Sequence, residues 1–183
     1  MSDPQADPHS EFTTLLQAQV GHEFAAQQQY VALAVWFDAE DLPQLAALFY
    51  RQAIEERNHA MMMVRYLLDR GIPPLVPGIA PVRNDFKHPR ELVELALAQE
   101  KDVTAKIERL FKAARDDGDF VGEQFMLWFL KEQVEEVSAM TTLLTILDRA
   151  GEDFFKVEDF LARENVGGTG ADPSAPAAAG GIL

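Results

Sequence analysis

The sequence contains no cysteine, which excludes disulfide bonds, zinc–thiolate sites and iron–sulfur clusters. Any metal must therefore be bound by oxygen and imidazole ligands. Long hydrophobic runs are also missing, because the longest, such as YVALAVWF, fall far short of the roughly 18 residues of a membrane span. Basic residues are scarce, with 16 against 30 acidic ones and a net charge of -14. This charge disfavours nucleic acids and anionic membranes as partners and favours cations.

The N-terminus, MSDPQADPHSE, is polar and has no apolar signal core, so we expect a cytoplasmic protein. A chain of 183 residues, 48% of them apolar, suits one domain. The sequence divides into an N-terminal extension at 1–9, a helical domain at 10–164 and a tail at 165–183. That tail consists mostly of glycine, alanine and proline, a composition that predicts disorder.

Four segments with helical periodicity and no internal proline predict an all-α fold, at 10–38, 43–70, 89–116 and 120–150. Each is longer than the usual helix of about 11 or 12 residues, which favours a four-helix bundle. The short turns AEDLP and DDGD join the segments into two antiparallel hairpins. Between the hairpins, the proline-rich segment 71–88 predicts one long crossover, and the segment 153–164 predicts a short fifth helix.

The buried stripe of each long helix is apolar at both ends and polar in the middle. The polar positions are Glu23 and Gln27, then Gln52, Glu56 and His59, then Glu100 and Thr104, and finally Gln133 and Glu136. In an antiparallel hairpin, residues equally distant from the turn lie at one height. Glu23 lies 17 residues before residue 40, and Glu56 lies 16 after it. Glu100 and Glu136 each lie 18 residues from Gly118, so all four carboxylates are predicted at one level.

Four glutamates in a bundle core would repel one another and cost several kcal/mol each to desolvate. A divalent cation offsets this cost, and carboxylates with one imidazole suit Fe(II), Mn(II) or Zn(II). A calcium or magnesium site would usually not use histidine. Each position alone could instead be a snorkelling or surface glutamate, and a lone E-x-x-H motif is a weak signal. The coincidence of four interrupted stripes favours a metal site.

Helix one carries Glu23, helix two carries the E-x-x-H motif at Glu56–His59, helix three carries Glu100 and helix four carries KEQVEE at 131–136. In this pattern the chain resembles the ferritin family over residues 10–164. The likeness is to bacterial non-haem ferritins of the actinobacterial type. It implies a ferritin-like four-helix bundle with one long crossover, a short fifth C-terminal helix and a di-iron ferroxidase centre. For the two iron sites, it implies the ligands Glu23, Glu56, His59, Glu100 and Glu136, with Glu56 bridging.

The same resemblance implies further roles. Gln133 would lie beside the second iron and Tyr30 near the centre, while Glu55, Glu132 and Glu135 would form a third iron site. Glu123 matches acids that line an iron-entry channel. Bacterioferritins carry a second E-x-x-H motif and a haem-ligating methionine directly after the first motif's Glu, where this sequence has Arg57, so haem is not expected.

The implied function is iron storage and detoxification. Fe(II) would be oxidised with dioxygen at the di-iron centre, and the ferric mineral would be stored in a hollow shell of twenty-four subunits. The alternative is a non-storage di-metal oxidoreductase or peroxidase of the same superfamily. A structural bundle with a fortuitous acidic core is a third interpretation. The tail, finally, is a possible docking segment for a partner.

Overall fold

The computed structural model describes residues 7–164, 166 and 172–183. These residues form five α-helices and no strand, which confirms the all-α prediction. The helices are α1 (Glu11–Ala39), α2 (Pro43–Asp69), α3 (Pro89–Asp116), α4 (Phe120–Ala150) and α5 (Phe154–Arg163). Every predicted helix end lies within one residue of the observed end.

Local side-chain chemistry explains most of these helix ends. Ser10 caps α1, because its hydroxyl oxygen accepts a hydrogen bond from the Thr13 amide at 3.1 Å. Pro43 and Pro89 stand in the first turns of α2 and α3, where no intrahelical amide donor is lost. After α4, Gly151 adopts a φ of 61°, a left-handed conformation that glycine reaches without a steric penalty.

The start of α2 is capped by a residue from the other end of the chain. Leu42 precedes α2 and offers no side-chain cap. The Glu158 carboxylate of α5 instead accepts hydrogen bonds from the amides of Gln44 at 2.8 Å and Leu45 at 3.0 Å. An anion is favourable at a helix N-terminus, so this contact fixes α5 against the bundle. The buried side chain of Val157 completes the attachment.

Close backbone packing joins α1 with α2, α3 with α4, and α1 with α3, as two antiparallel hairpins side by side. The crossover 71–88 has no helix and is held by Gln29, whose side chain donates to the Arg83 carbonyl at 2.8 Å and accepts from the Arg83 amide at 2.9 Å. Gly21 lets Pro77 lie directly on α1, since a Cβ there would stand 2.8 Å from Cγ of the proline. These contacts confirm the long crossover.

Two apolar clusters fill the bundle. One contains Tyr30, Phe37, Phe49, Leu92 and Leu143, and the other contains Leu16, Met63, Ile107, Met126 and Phe129. The helix positions between the two clusters are those that the sequence predicts to be polar. No helix among the described residues has both the length and the apolar character to cross a bilayer.

The C-terminal residues 172–183 lie along α2 and α4. Trp128 Nε1 donates to Asp172 Oδ2 at 2.9 Å, and the Ala179 amide donates to the Met61 carbonyl at 2.9 Å. The Leu183 amide donates to Asn58 Oδ1 at 3.3 Å. Composition does not reveal these partners, because they lie on distant helices. Residues 165 and 167–171 of the predicted tail lie outside the described residues.

Candidate metal centre

Three of the predicted ligands meet where α1 and α2 lie side by side. Glu23, Glu56 and His59 each offer one ligand atom, and these atoms all lie within 4.8 Å of one another. All three side chains are buried, and His59 Nδ1 stands 3.6 Å from Glu56 Oε2. The heights measured from the first turn therefore predict this meeting of the two helices correctly.

The second hairpin supplies two more buried carboxylates, Glu100 from α3 and Glu136 from α4. The Tyr30 hydroxyl donates to Glu100 Oε1, and Gln52 Nε2 donates to Glu136 Oε1 at 3.4 Å. Glu100 and Glu136 do not belong to the triad of ligand atoms within 4.8 Å. Their charges nevertheless contribute to the raised pKa of Glu56, so the four carboxylates form one electrostatic cluster.

Several carboxylate oxygens in this cluster have no hydrogen-bond partner among the residues that the structure describes. They are Oε2 of Glu23, Glu56 and Glu100, all of which are buried. The other oxygen of Glu23 accepts from Gln19 Nε2 at 2.9 Å. A buried acceptor without a partner costs about 1–3 kcal/mol, and more when it is charged. Cations coordinated at this position would satisfy the free oxygens, so the donor set fits metal binding.

Burial and mutual repulsion shift the proton affinities of the cluster. Burial, together with the charges of Glu23 and Glu100, raises the pKa of Glu56 well above its usual value. Burial and the charges of Glu100 and Glu55 raise the pKa of Glu136 well above normal, and burial together with the charge of Glu23 raises the pKa of Glu100 to about 7. Burial lowers the pKa of His59, which favours the neutral imidazole that can coordinate a metal. A divalent ion would therefore displace protons when it binds.

Aromatic and amide side chains surround the cluster. Tyr30 is fully buried, and burial beside Glu100 raises the pKa of its hydroxyl well above normal, which keeps it a hydrogen-bond donor. The edges of Trp128 and Phe129 pack around His59, with ring centroids 5.7 and 5.6 Å from the imidazole. Gln133 is buried, and its Oε1 accepts from the Thr104 hydroxyl at 3.0 Å.

A groove of about 960 Å³ lies between α2 and α4 and is lined by Glu55, Glu132 and Glu135. His59 and Glu136 line the same groove, so it connects these three acids with the buried cluster. Burial raises the pKa of both Glu55 and Glu132. The last residues of the chain, Ile182 and Leu183, also line the groove. The three acids stand apart from the triad and form an outer acidic group.

Glu123 lies at the first turn of α4, about 20 Å along the helix from Glu136 at about 1.5 Å per residue. Its carboxylate accepts from Arg115 at the end of α3, with Nη2 at 2.6 Å and Nε at 3.1 Å. The channel role of Glu123 stays a prediction.

Two amides near the carboxylates were not assigned any site role from the sequence. Gln19 lies one turn before Glu23, and Gln52 lies one turn before Glu56. A glutamine four residues before a glutamate lies on the same helix face, where the two side chains can form a hydrogen bond. This spacing is the signal that could have identified both as neighbours of the ligands.

The comparisons with known proteins agree with this arrangement. The family model described as a ferritin-like domain matches residues 13–150. The chain belongs to the ferritin family. It is similar to Ferritin BfrB of Mycolicibacterium smegmatis, with 61% identity over 95% of this chain and 96% of the relative. Ferritin BfrB of Mycobacterium tuberculosis is 57% identical over 96% of this chain and 97% of the relative.

A bacterial non-heme ferritin of Staphylococcus aureus is 36% identical over 75% of this chain and 83% of its own length. Among solved structures, the open pore ferritin of Archaeoglobus fulgidus superposes with a TM-score of 0.81 at 25% identity. That match covers 86% of this chain and 98% of the archaeal one. This ferritin is therefore an iron-storage protein with ferroxidase activity, and its buried Glu/Glu/His group is a candidate site for the metal.

Proposed function

We propose that this ferritin binds two Fe(II) ions between its hairpins and oxidises them with dioxygen. Glu23, Glu56 and His59 would bind the first ion, and Glu56 would bridge to a second ion bound by Glu100 and Glu136. The observation that carries this proposal is the set of three buried carboxylate oxygens without a hydrogen-bond partner in the described part of the chain, one each on Glu23, Glu56 and Glu100. Each points to a coordinating ion as its missing partner.

The reaction needs a site that tolerates a rise in positive charge. Each Fe(II) gives up one electron, and dioxygen accepts two electrons and two protons to become hydrogen peroxide. The metal charge therefore rises by one unit at each site, and the four carboxylates stabilise the ferric products. Because only His59 supplies nitrogen, the two sites have unequal ligands, and the ions bound there differ in affinity.

Other side chains support the same chemistry. The Tyr30 hydroxyl holds Glu100 by a hydrogen bond. Gln133, held by Thr104, would stand beside the second ion. The acidic group in the α2–α4 groove, Glu55 with Glu132 and Glu135, would bind a third iron on its way out of the centre, because it shares the groove with Glu136.

Storage requires a closed container, and we extend the proposal to a shell of twenty-four subunits. Large apolar side chains are exposed on the crossover and on α5, with Val76 at 72% and Phe155 at 84% exposure. Where such side chains form a contiguous patch, they mark protein–protein contacts. An external docking partner for the tail stays a prediction, since residues 172–183 lie on α2 and α4 of their own chain.

The test compares the wild-type apoprotein with Glu56→Ala/His59→Ala and with the control Glu94→Ala, which alters an exposed glutamate of α3. Fe(II) is added aerobically, and ferric absorbance is followed together with particle size. Wild type and control are expected to oxidise iron much faster than the double variant, in particles of shell size. Equal rates in all three proteins would refute the centre. Fast oxidation by a monomer or dimer would refute storage in a shell.

A further inference from the structure

Gln52 lies between the buried cluster and the outer acidic group. The residue is on α2, one turn before Glu56, and its side chain is 3% exposed. Its amide nitrogen donates to Glu136 Oε1 at 3.4 Å and also to Glu55 Oε2. The two acceptors belong to different places, because Glu136 is a buried member of the cluster while Glu55 is part of the outer acidic group. The Gln52 amide therefore links the buried cluster with the outer acidic group.

The oxygen of the same amide is left without a partner. Gln52 Oε1 is buried and accepts no hydrogen bond from the described residues. An amide carries two donors on nitrogen and an acceptor on oxygen, so a 180° rotation about the last side-chain bond exchanges the positions of nitrogen and oxygen. The nitrogen faces the two carboxylates and partly offsets their repulsion. With a cation between Glu136 and Glu55, the oxygen is the atom that would face it.

The chemistry of an amide oxygen suits a temporary ligand. It carries no net charge, so it adds no further repulsion to the carboxylates around it. Carbonyl oxygen is a hard ligand that both ferrous and ferric iron accept, and because it is neutral it holds them less strongly than carboxylate does. An ion that must leave the buried cluster for the groove would therefore meet a ligand that binds it without trapping it.

We propose that Gln52 is a metal-positioning residue through which an iron ion passes between Glu136 of the di-iron centre and Glu55 of the groove. The inference rests on the proposed function, since it assigns the exit step from that centre. It also explains why the buried amide oxygen of Gln52 accepts no hydrogen bond in the described part of the chain. The residue acts mainly after oxidation, so ions added once the centre is filled should depend on it more than the first ions do.

The test uses Gln52→Leu, which removes both amide groups, and Gln52→Glu, which keeps an oxygen at the same place. Gln29→Leu is the matched control, because Gln29 is a buried amide of α1 whose side chain, within the described ranges, bonds only to the Arg83 backbone. Fe(II) is added in two successive portions, each of two ions per subunit, and the oxidation rate of each portion is measured. Anaerobic calorimetry with Fe(II) measures binding without turnover.

Gln52→Leu should slow the second portion about tenfold more than the first, since altered ligand surroundings typically cost about 10–100-fold in affinity or activity. Its affinity for the most weakly bound Fe(II) should fall by about the same factor. Gln52→Glu should restore the affinity for Fe(II) but not the rate of the second portion, because a carboxylate holds the ion more strongly than an amide oxygen does; a merely structural role would not separate the two properties. Gln29→Leu should match the wild type in both.

Equal second-portion rates and Fe(II) affinities in Gln52→Leu and wild type would overturn the inference, and so would a first portion slowed as much as the second. If the leucine variant fails to fold, Gln52→Met replaces it, because methionine is unbranched and of similar length. The proposed function fails separately, namely if the wild type oxidises even its first portion no faster than Glu56→Ala/His59→Ala.

Discussion

Glu100→Gln is expected to stabilise the metal-free protein at neutral and alkaline pH. The pKa of Glu100 lies at about 7 instead of 4.5, and burial is the first cause. At about 1.4 kcal/mol for each pH unit, this difference corresponds to about 3 kcal/mol. Because the folded state binds the proton more tightly than the unfolded state, the stability of the wild type falls as pH rises from 4.5 to 7 and stays low above 7. Glutamine carries no such charge and still accepts from the Tyr30 hydroxyl.

The assay is differential scanning calorimetry of the apoprotein in the presence of chelator, at pH 5 and pH 8. For a chain of this size, about 3 kcal/mol corresponds to roughly 6–12 °C in Tm. Glu100→Gln should therefore melt higher than the wild type by about that amount at pH 8, but by no more than about 3 °C at pH 5. Subunit concentration and scan rate are kept equal, since unfolding of an oligomer depends on both.

The control is Glu94→Gln, an exposed glutamate on the same helix that should shift Tm at neither pH. The reasoning is refuted if Glu100→Gln lowers Tm at pH 8. It is also refuted if the variant raises Tm equally at both pH values, because the effect would then not come from the charge of the carboxylate.

Three further predictions concern the framework around the centre. Gly122→Ala should lower the free energy of unfolding by about 1–3 kcal/mol, because the added Cβ would stand 2.5 Å from the ring of Phe12. Gly78→Ala is the control and should leave the thermal stability unchanged, since its Cβ would have no atom within 4 Å. Glu158→Gln should lower the stability by about 1 kcal/mol through the weakened cap of α2, with the oxidation of Fe(II) unchanged. Removal of residues 172–183 should expose Trp128, so its fluorescence should shift to the red; an unchanged spectrum would contradict the observed course of the tail.

The bundle could be predicted from the sequence because its signals are local or periodic. Proline positions and the Ser10 cap give the helix ends, and the short turns give the antiparallel pairing. The level shared by Glu23 and Glu56 follows from counting residues away from a turn, since the helical rise is constant. The same count could not give the distances between hairpins, which depend on side-chain packing.

Contacts between distant segments could not be predicted from the sequence. The cap of α2 by Glu158 joins residues more than a hundred positions apart, and nothing in either segment indicates the other. The contacts of the tail are a similar case, because a segment of glycine and alanine has no hydrophobic periodicity from which its contact helices could be predicted. Gln52 could be placed on the buried stripe of α2, but its position between Glu136 and Glu55 required the assembled groove.

The central claim is that the four buried glutamates and His59 bind a pair of iron ions. Its most direct measurement is a crystal structure of the protein soaked anaerobically with Fe(II), with data collected at the iron absorption edge. We predict two anomalous peaks in each subunit, one contacting Glu23 and His59, the other contacting Glu100 and Glu136, with Glu56 between them. Iron bound only in the α2–α4 groove or on the surface, with no density at Glu56, would contradict the account.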